Sequence, residues 1–183
     1  MRRVLSAVLA GACVVVLGLT LVAPSLAHPS ALRYVLKSGG WKITFTLPAS
    51  SPVVAHTESC RKRLNAPRLT YLAVTLDNRQ GKTEVDGPRV DVVTKAGRRV
   101  LFDDVGRWIN DDNWLGRAPV GSALYEECAV RLFNGVINRD HALPGQKTTY
   151  LMAAHGSLQL SQVRYFFAKH PETLQLVRLN PVR

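Results

Sequence analysis

LTYLAVTLDNRQG, Leu69–Gly81, decides the fold by its alternation. Leu72, Val74 and Leu76 alternate with Tyr71, Ala73 and Thr75, and the turn-forming run Asp77-Asn78-Arg79-Gln80-Gly81 then stops the pattern. Successive strand side chains point to opposite faces, so a period of two predicts a strand ended by a turn. Upstream, Trp41, Ile43, Phe45 and Leu47 alternate with Lys42, Thr44 and Thr46 until Pro48, which describes a strand with one face buried and one in water. Downstream, Val90, Val92 and Thr94 lead through Lys95-Ala96-Gly97-Arg98 into Val100-Leu101-Phe102, the pattern of a hairpin. Thr148–Ala153, Val163–Ala168 and Leu174–Leu179 read as three more strands. Short strands without regular βαβ alternation predict an all-β fold, an antiparallel β-sandwich.

One segment departs from this period. Tyr125, Cys128, Ala129, Leu132, Phe133, Val136 and Ile137 recur at helical spacing, with Ser122 placed as N-cap, Glu126 and Glu127 in the first turn and Gly135 after the last. The reading is one short helix in a crossover between sheets, which aims Cys128 at the core, where Cys60 can reach it from the loop before the Leu69 strand. A strand ending at Asn134-Gly135 is the alternative.

Arg2 and Arg3 precede an apolar run, Val4–Val22, followed by Pro24-Ser25-Leu26-Ala27, whose small residues suit signal-peptidase cleavage before His28. Residues 1–27 are therefore expected to be a signal peptide and 28–183 a single domain, secreted or associated with the cell wall, with no membrane contact after cleavage. A retained anchor is the competing reading, since the run approaches spanning length. Cys13 after Ala10-Gly11-Ala12 also partly matches a lipoprotein box.

The formal charge of +11 falls to +9 once Arg2 and Arg3 are removed. Such a balance suits polyanionic surroundings, an acidic wall polymer among them, or simply a basic secreted surface. The local concentrations are Arg61-Lys62-Arg63 with Arg68, and Arg98-Arg99 near Lys95; neither is interleaved with aromatics, so no nucleic-acid partner is expected. Export leaves Cys60 and Cys128, and an oxidising compartment makes a disulfide between them the default. Closing a loop of that length stabilises a fold by roughly 4 kcal/mol on the chain-entropy view. Metal ligation by the pair lacks further cysteines or suitably spaced histidines.

LTYLAVTLDNRQGK, PRVDVVTKAGRRVLF and ALPGQKTTYLMA together resemble the secreted immunoglobulin-like sandwich of the DUF4352 kind, the superfamily of the mycobacterial immunoprotective extracellular antigen. Asp77-Asn78, Ala96-Gly97 and Pro144-Gly145 stand where that family places an asparagine turn, a residue-Gly hairpin tip and a Pro-Gly turn before a late strand. The resemblance spans roughly residues 66–168 and implies a non-enzymatic extracellular domain. The acidic tryptophan stretch and the helix depart from it.

No GxSxG, HExxH, CxxC or phosphate-cradling glycine loop occurs, and His141, His155 and His170 sit in loop-like contexts, so no catalytic residue is assigned and no cofactor is expected. The candidate binding loop is DDVGRWINDDNWLG, Asp103–Gly116. Asn110, Asp111, Asp112 and Asn113, with Asp103 and Asp104, are hard oxygen ligands of the kind Ca²⁺ takes, and Trp108 and Trp114 could stack on sugars or peptide side chains. The plainer reading is a surface loop pinned by its tryptophans. Two function classes follow: a secreted binding or structural domain for an extracellular protein, glycan or acidic wall polymer, and a metal-binding protein, either Ca²⁺-dependent and lectin-like or a copper protein. In the copper case His28, as the mature N-terminus, supplies an amine and an imidazole, with His141 or His155 as a further ligand.

Overall fold

The computed structural model describes residues 31–136 and 139–182; the leader, His28 and Ile137 lie outside the described residues. The chain opens with a hairpin of β1 (Leu32–Ser38) and β2 (Trp41–Leu47), joined at Gly39-Gly40, where both glycines have positive φ. Helix α1 (Pro52–Arg63) follows, then β3 (Leu69–Asp77), a two-residue strand β4 (Val85–Asp86), and the hairpin of β5 (Val90–Thr94) and β6 (Arg99–Asp104). Helix α2 (Val105–Asp111) and a second helical stretch come next: α3 (Ala123–Tyr125), a π-helical segment Glu126–Arg131, and α4 (Leu132–Val136). The short β7 (His141–Ala142), β8 (Lys147–His155), β9 (Val163–Lys169) and β10 (Leu176–Leu179) complete the order.

Eight strands form one antiparallel sheet in the order β1-β2-β3-β8-β6-β5-β9-β10, with β4 and β7 paired separately. Strand β6 changes partner along its length: Val100 and Phe102 face β5, while Asp103 and Asp104 face Ala153 and Met152 of β8. The sheet curls until its ends meet, where the Val182 amide donates to the Arg33 carbonyl at 2.8 Å. The all-β, antiparallel expectation holds. The hairpin turns at Lys95–Arg98 as expected, with Gly97 at φ +79° and the Arg98 amide donating to the Thr94 hydroxyl.

Two cores result. The first fills the inside of the curl with Tyr34, Ile43, Phe45, Leu72, Val74, Val90, Val92, Phe102, Tyr150 and Phe166, among others. Phe166 packs between Tyr34, stacked at 4.0 Å, and Phe45 at 5.3 Å. The second lies outside the sheet, where the helices cover Leu69, Tyr71, Leu151 and Ala153. The first half of β3 and the second half of β8 are thus buried on both faces, and Tyr150–Ala154 is a continuous buried run.

The expected crossover helix is present, and Ser122 caps it by accepting from the Tyr125 amide. Gly135 lies inside α4 rather than beyond it. The expectation of a single helix is corrected by α1 and α2. Cys60 sits on α1, not in a loop. That helix carries ordinary signals: the Ser51 hydroxyl accepts from the Val54 amide, Pro52 opens the first turn, and Arg61, Lys62 and Arg63 occupy the last turn near the negative dipole end. Its inward stripe is Val54, Thr57 and Cys60, in which Val54 is the one strong hydrophobe, too little to register as helical periodicity. The Cys60–Cys128 disulfide, Cα–Cα 5.2 Å, ties α1 to the π-helical segment as expected.

Candidate functional site

The acidic tryptophan stretch is mostly helix. Asp104 accepts from the Gly106 amide at 2.7 Å and so caps α2. The helix buries Val105, Gly106 and Ile109 on the second core and turns the acids to its ends and outer side. Arg107 links the two acidic pairs, bonding Asp103 at 2.8 Å and Asp111 at 3.3 Å, one turn away in either direction. Asp112 is 3.4 Å from His155, and Asn113, at φ +51°, accepts from the Gly116 amide; Asn110 is exposed.

The two tryptophans differ. Trp114 is fully buried in the second core, so its ring presents no face to solvent. Trp108 is half-buried, donates its indole N–H to the Ala153 carbonyl at 2.7 Å and meets the His155 ring edge-on at 4.2 Å. Among the described residues the acids of this stretch do not gather into a three-ligand group. His141 stands 3.8 Å from Asp140, and the His170 ring accepts the Glu172 and Thr173 amides in a turn.

What the sheet brings together was not visible in the sequence. A cleft of about 490 Å³ opens where β6 changes partner, lined by Asp103, Asp104, Arg107, Asp140, Arg89 and Tyr150. A Cβ on Gly87 would collide with the Tyr150 hydroxyl, so only glycine lets the segment between β4 and β5 approach the ring. Burial, followed by the charges of Asp140, Asp104 and Asp103, keeps the Tyr150 phenol protonated well beyond its usual range. Burial also raises Asp104 to about 6; the Gly106 amide opposes this, and Asp140 and Asp103 add to it. Its Oδ2 is buried without a partner. The cleft therefore holds a buried carboxyl raised to about 6 beside a phenol.

Asp104 gives a signed prediction. A carboxyl raised from 3.8 to about 6 in the fold contributes stability that is fully present below 3.8 and lost as pH rises through about 6. Asparagine caps as well as aspartate and carries no charge. Asp104→Asn should therefore be more stable than the wild type at pH 7, by about 1–2 kcal/mol after allowance for solvent screening. Thermal melts across pH should show this gain vanishing below about pH 4.

A second surface is built by register. On the outer face, Lys37 lies opposite Lys42, Lys42 opposite Asp77, and Asp77 opposite Lys147, across β1, β2, β3 and β8. Asp77 is held by Arg79 through two bonds of 2.8 Å, which keeps its carboxyl well below the usual range. One row along, Thr44, Thr75 and Thr149 line up, with 3.0 Å between the Thr75 and Thr149 hydroxyls. A groove of about 780 Å³ runs past Lys37, Gly40, Trp41, Lys42 and Arg79. By contrast, the basic run of α1 is paired internally, Arg61 and Lys62 with Glu58 and Arg63 with Glu127.

No protein-family model, curated protein or solved structure matches this chain.

Proposed function

We propose that this is a secreted, non-enzymatic binding domain that holds an anionic glycopolymer on the outer face of β1, β2, β3 and β8. The observation that carries the reading is the cross-strand row Lys37–Lys42–Asp77–Lys147, in which Arg79 pairs with the one acid and, among the described residues, the three lysines make no ion pair. Lysines directly opposite each other disfavour the sheet, so Lys37 and Lys42 gain from an anion between them. With strands spaced at about 4.8 Å, the row spreads positive charge over about 15 Å, the scale of successive charged groups on a polymer rather than of one small ion. The adjoining threonine hydroxyls suit sugar or polyol hydroxyls.

The finer reading of the fold, an immunoglobulin-like sandwich of the immunoprotective extracellular antigen superfamily, belongs to the same proposal. Its support is the change of partner in β6, which divides the sheet into halves facing across one core, and the three turns of the resemblance, each of which is a turn here. Export is supported by the leader-like N-terminus and by compatibility with a disulfide. Among the described residues no helix is long and apolar enough to cross a membrane.

Polygalacturonate is a suitable probe for calorimetry. Binding should weaken steeply with added salt, as charge-driven association does. Lys37→Glu/Lys42→Glu/Lys147→Glu should lower affinity by at least about tenfold without changing the melting temperature by more than a few degrees. Wild-type affinity in the triple variant, or binding indifferent to salt, overturns the assignment.

A further inference from the structure

We propose that Cys60, Cys128, His56 and Glu127 form a redox-gated Zn²⁺ site, closed while the sulfurs are bonded to each other and open once they are reduced. This goes beyond the polymer-binding face and does not depend on it. The sequence offered no histidine in a familiar metal spacing, but α1 places His56 one turn before Cys60, on the same side of the helix. The π-helical segment brings Glu127 beside Cys128. His56 Nε2 lies 4.0 Å from Cys60 Sγ, and His56 Nδ1 lies 4.0 Å from Glu127 Oε1. The ligand atoms of His56, Cys60 and Glu127 all fall within 4.8 Å of one another. Tetrahedral zinc with sulfur and nitrogen ligands holds its donors roughly 3.5–3.8 Å apart, so modest movement suffices.

The set has a workable inner and outer side. Both sulfurs are buried, while the His56 and Glu127 side chains are 42% and 41% exposed. Glu127 is also engaged by Arg63 at 2.7 Å, and that bond must yield one carboxylate oxygen to a metal.

The chemistry balances with a low-molecular-weight thiol as reductant. Two such thiols give two electrons and two protons, the Cys60–Cys128 bond breaks to two protein thiols, and the reductant leaves as its own disulfide. Zn²⁺ then displaces the two thiol protons to solvent and takes two thiolates, the neutral His56 imidazole and the Glu127 carboxylate. Two thiolates with nitrogen and oxygen favour Zn²⁺ over Ca²⁺ or Mg²⁺.

The test uses the chain reduced by a phosphine, which avoids a competing thiol, and Co²⁺ as a coloured stand-in for zinc. One equivalent of Co²⁺ should give a thiolate charge-transfer band and tetrahedral visible bands, both abolished by Zn²⁺ and absent from the oxidised chain. His56→Ala and Glu127→Gln should each weaken Zn²⁺ binding at least about tenfold, measured against a chromophoric chelator. If reduction unfolds the helices, added Zn²⁺ should restore helical circular dichroism in the wild type and not in His56→Ala. Absence of the charge-transfer band in a folded reduced chain, Zn²⁺ affinity unchanged in both variants, or failure of Zn²⁺ to refold an unfolded one overturns the proposal.

Discussion

Trp114→Ala should lower stability by about 3–5 kcal/mol, the range for truncating a fully buried large aromatic side chain. Trp114 is the largest of the wholly buried side chains and sits where α1, α2 and α4 meet the outer face of β3 and β8. Its indole N–H is buried without a hydrogen-bond partner, so the packing already carries the cost of that donor. Trp114→Phe should therefore cost far less, about 1–2 kcal/mol, because it keeps most of the ring and removes the orphan N–H. Urea unfolding of the two variants checks both figures. Wild-type stability in Trp114→Ala would mean that the ring is not a packing element.

Loss of the disulfide should be comparable in size. Cys60→Ala/Cys128→Ala opens a loop of 68 residues and should cost about 4 kcal/mol on the chain-entropy view, within the 2–5 kcal/mol usual for removing a native bridge. The site of the damage is as informative as its size. The bridge joins two helical elements of the second core, and neither cysteine belongs to the first. Native-state hydrogen exchange should show α1 and residues 123–136 losing protection well before β2, β5 and β9. Uniform loss across all elements would mean that the two cores unfold as one.

Most strands with one face in water were legible. Trp41–Leu47 alternates without exception, and its predicted bounds are those of β2. Alternation gives less where both faces are covered: Tyr71 and Ala73, set opposite Leu72 and Val74 by period, lie under helices, and the continuous apolarity of Tyr150–Ala154 was the available sign of a second layer. Strand β1 was missed although Leu32, Tyr34 and Leu36 alternate ahead of Gly39-Gly40. In α1 the caps were visible, but an inward stripe of Val54, Thr57 and Cys60 gives periodicity little to register. The disulfide followed from counting cysteines. The lysine row could not be read, because Lys37, Lys42 and Lys147 become neighbours only through pairing registers between distant segments. The expectation of a loop at Asp103–Gly116 erred for a related reason: helix α2 is seven residues long, and polar side chains hide its three inward positions.

The meeting of Arg33 with Val182 bears on how the molecule behaves in company. A sheet ordinarily ends in two rows of bare amides and carbonyls, each able to recruit a strand from another molecule and so to seed aggregation. Here the two margins touch at one backbone bridge, Arg33 with Val182, which occupies the Leu32 end of β1. The rest of each margin carries a charge, Lys37 on β1 and Arg178 on β10, with Pro181 beside the bridge, and together these favour separate molecules over ordered assemblies.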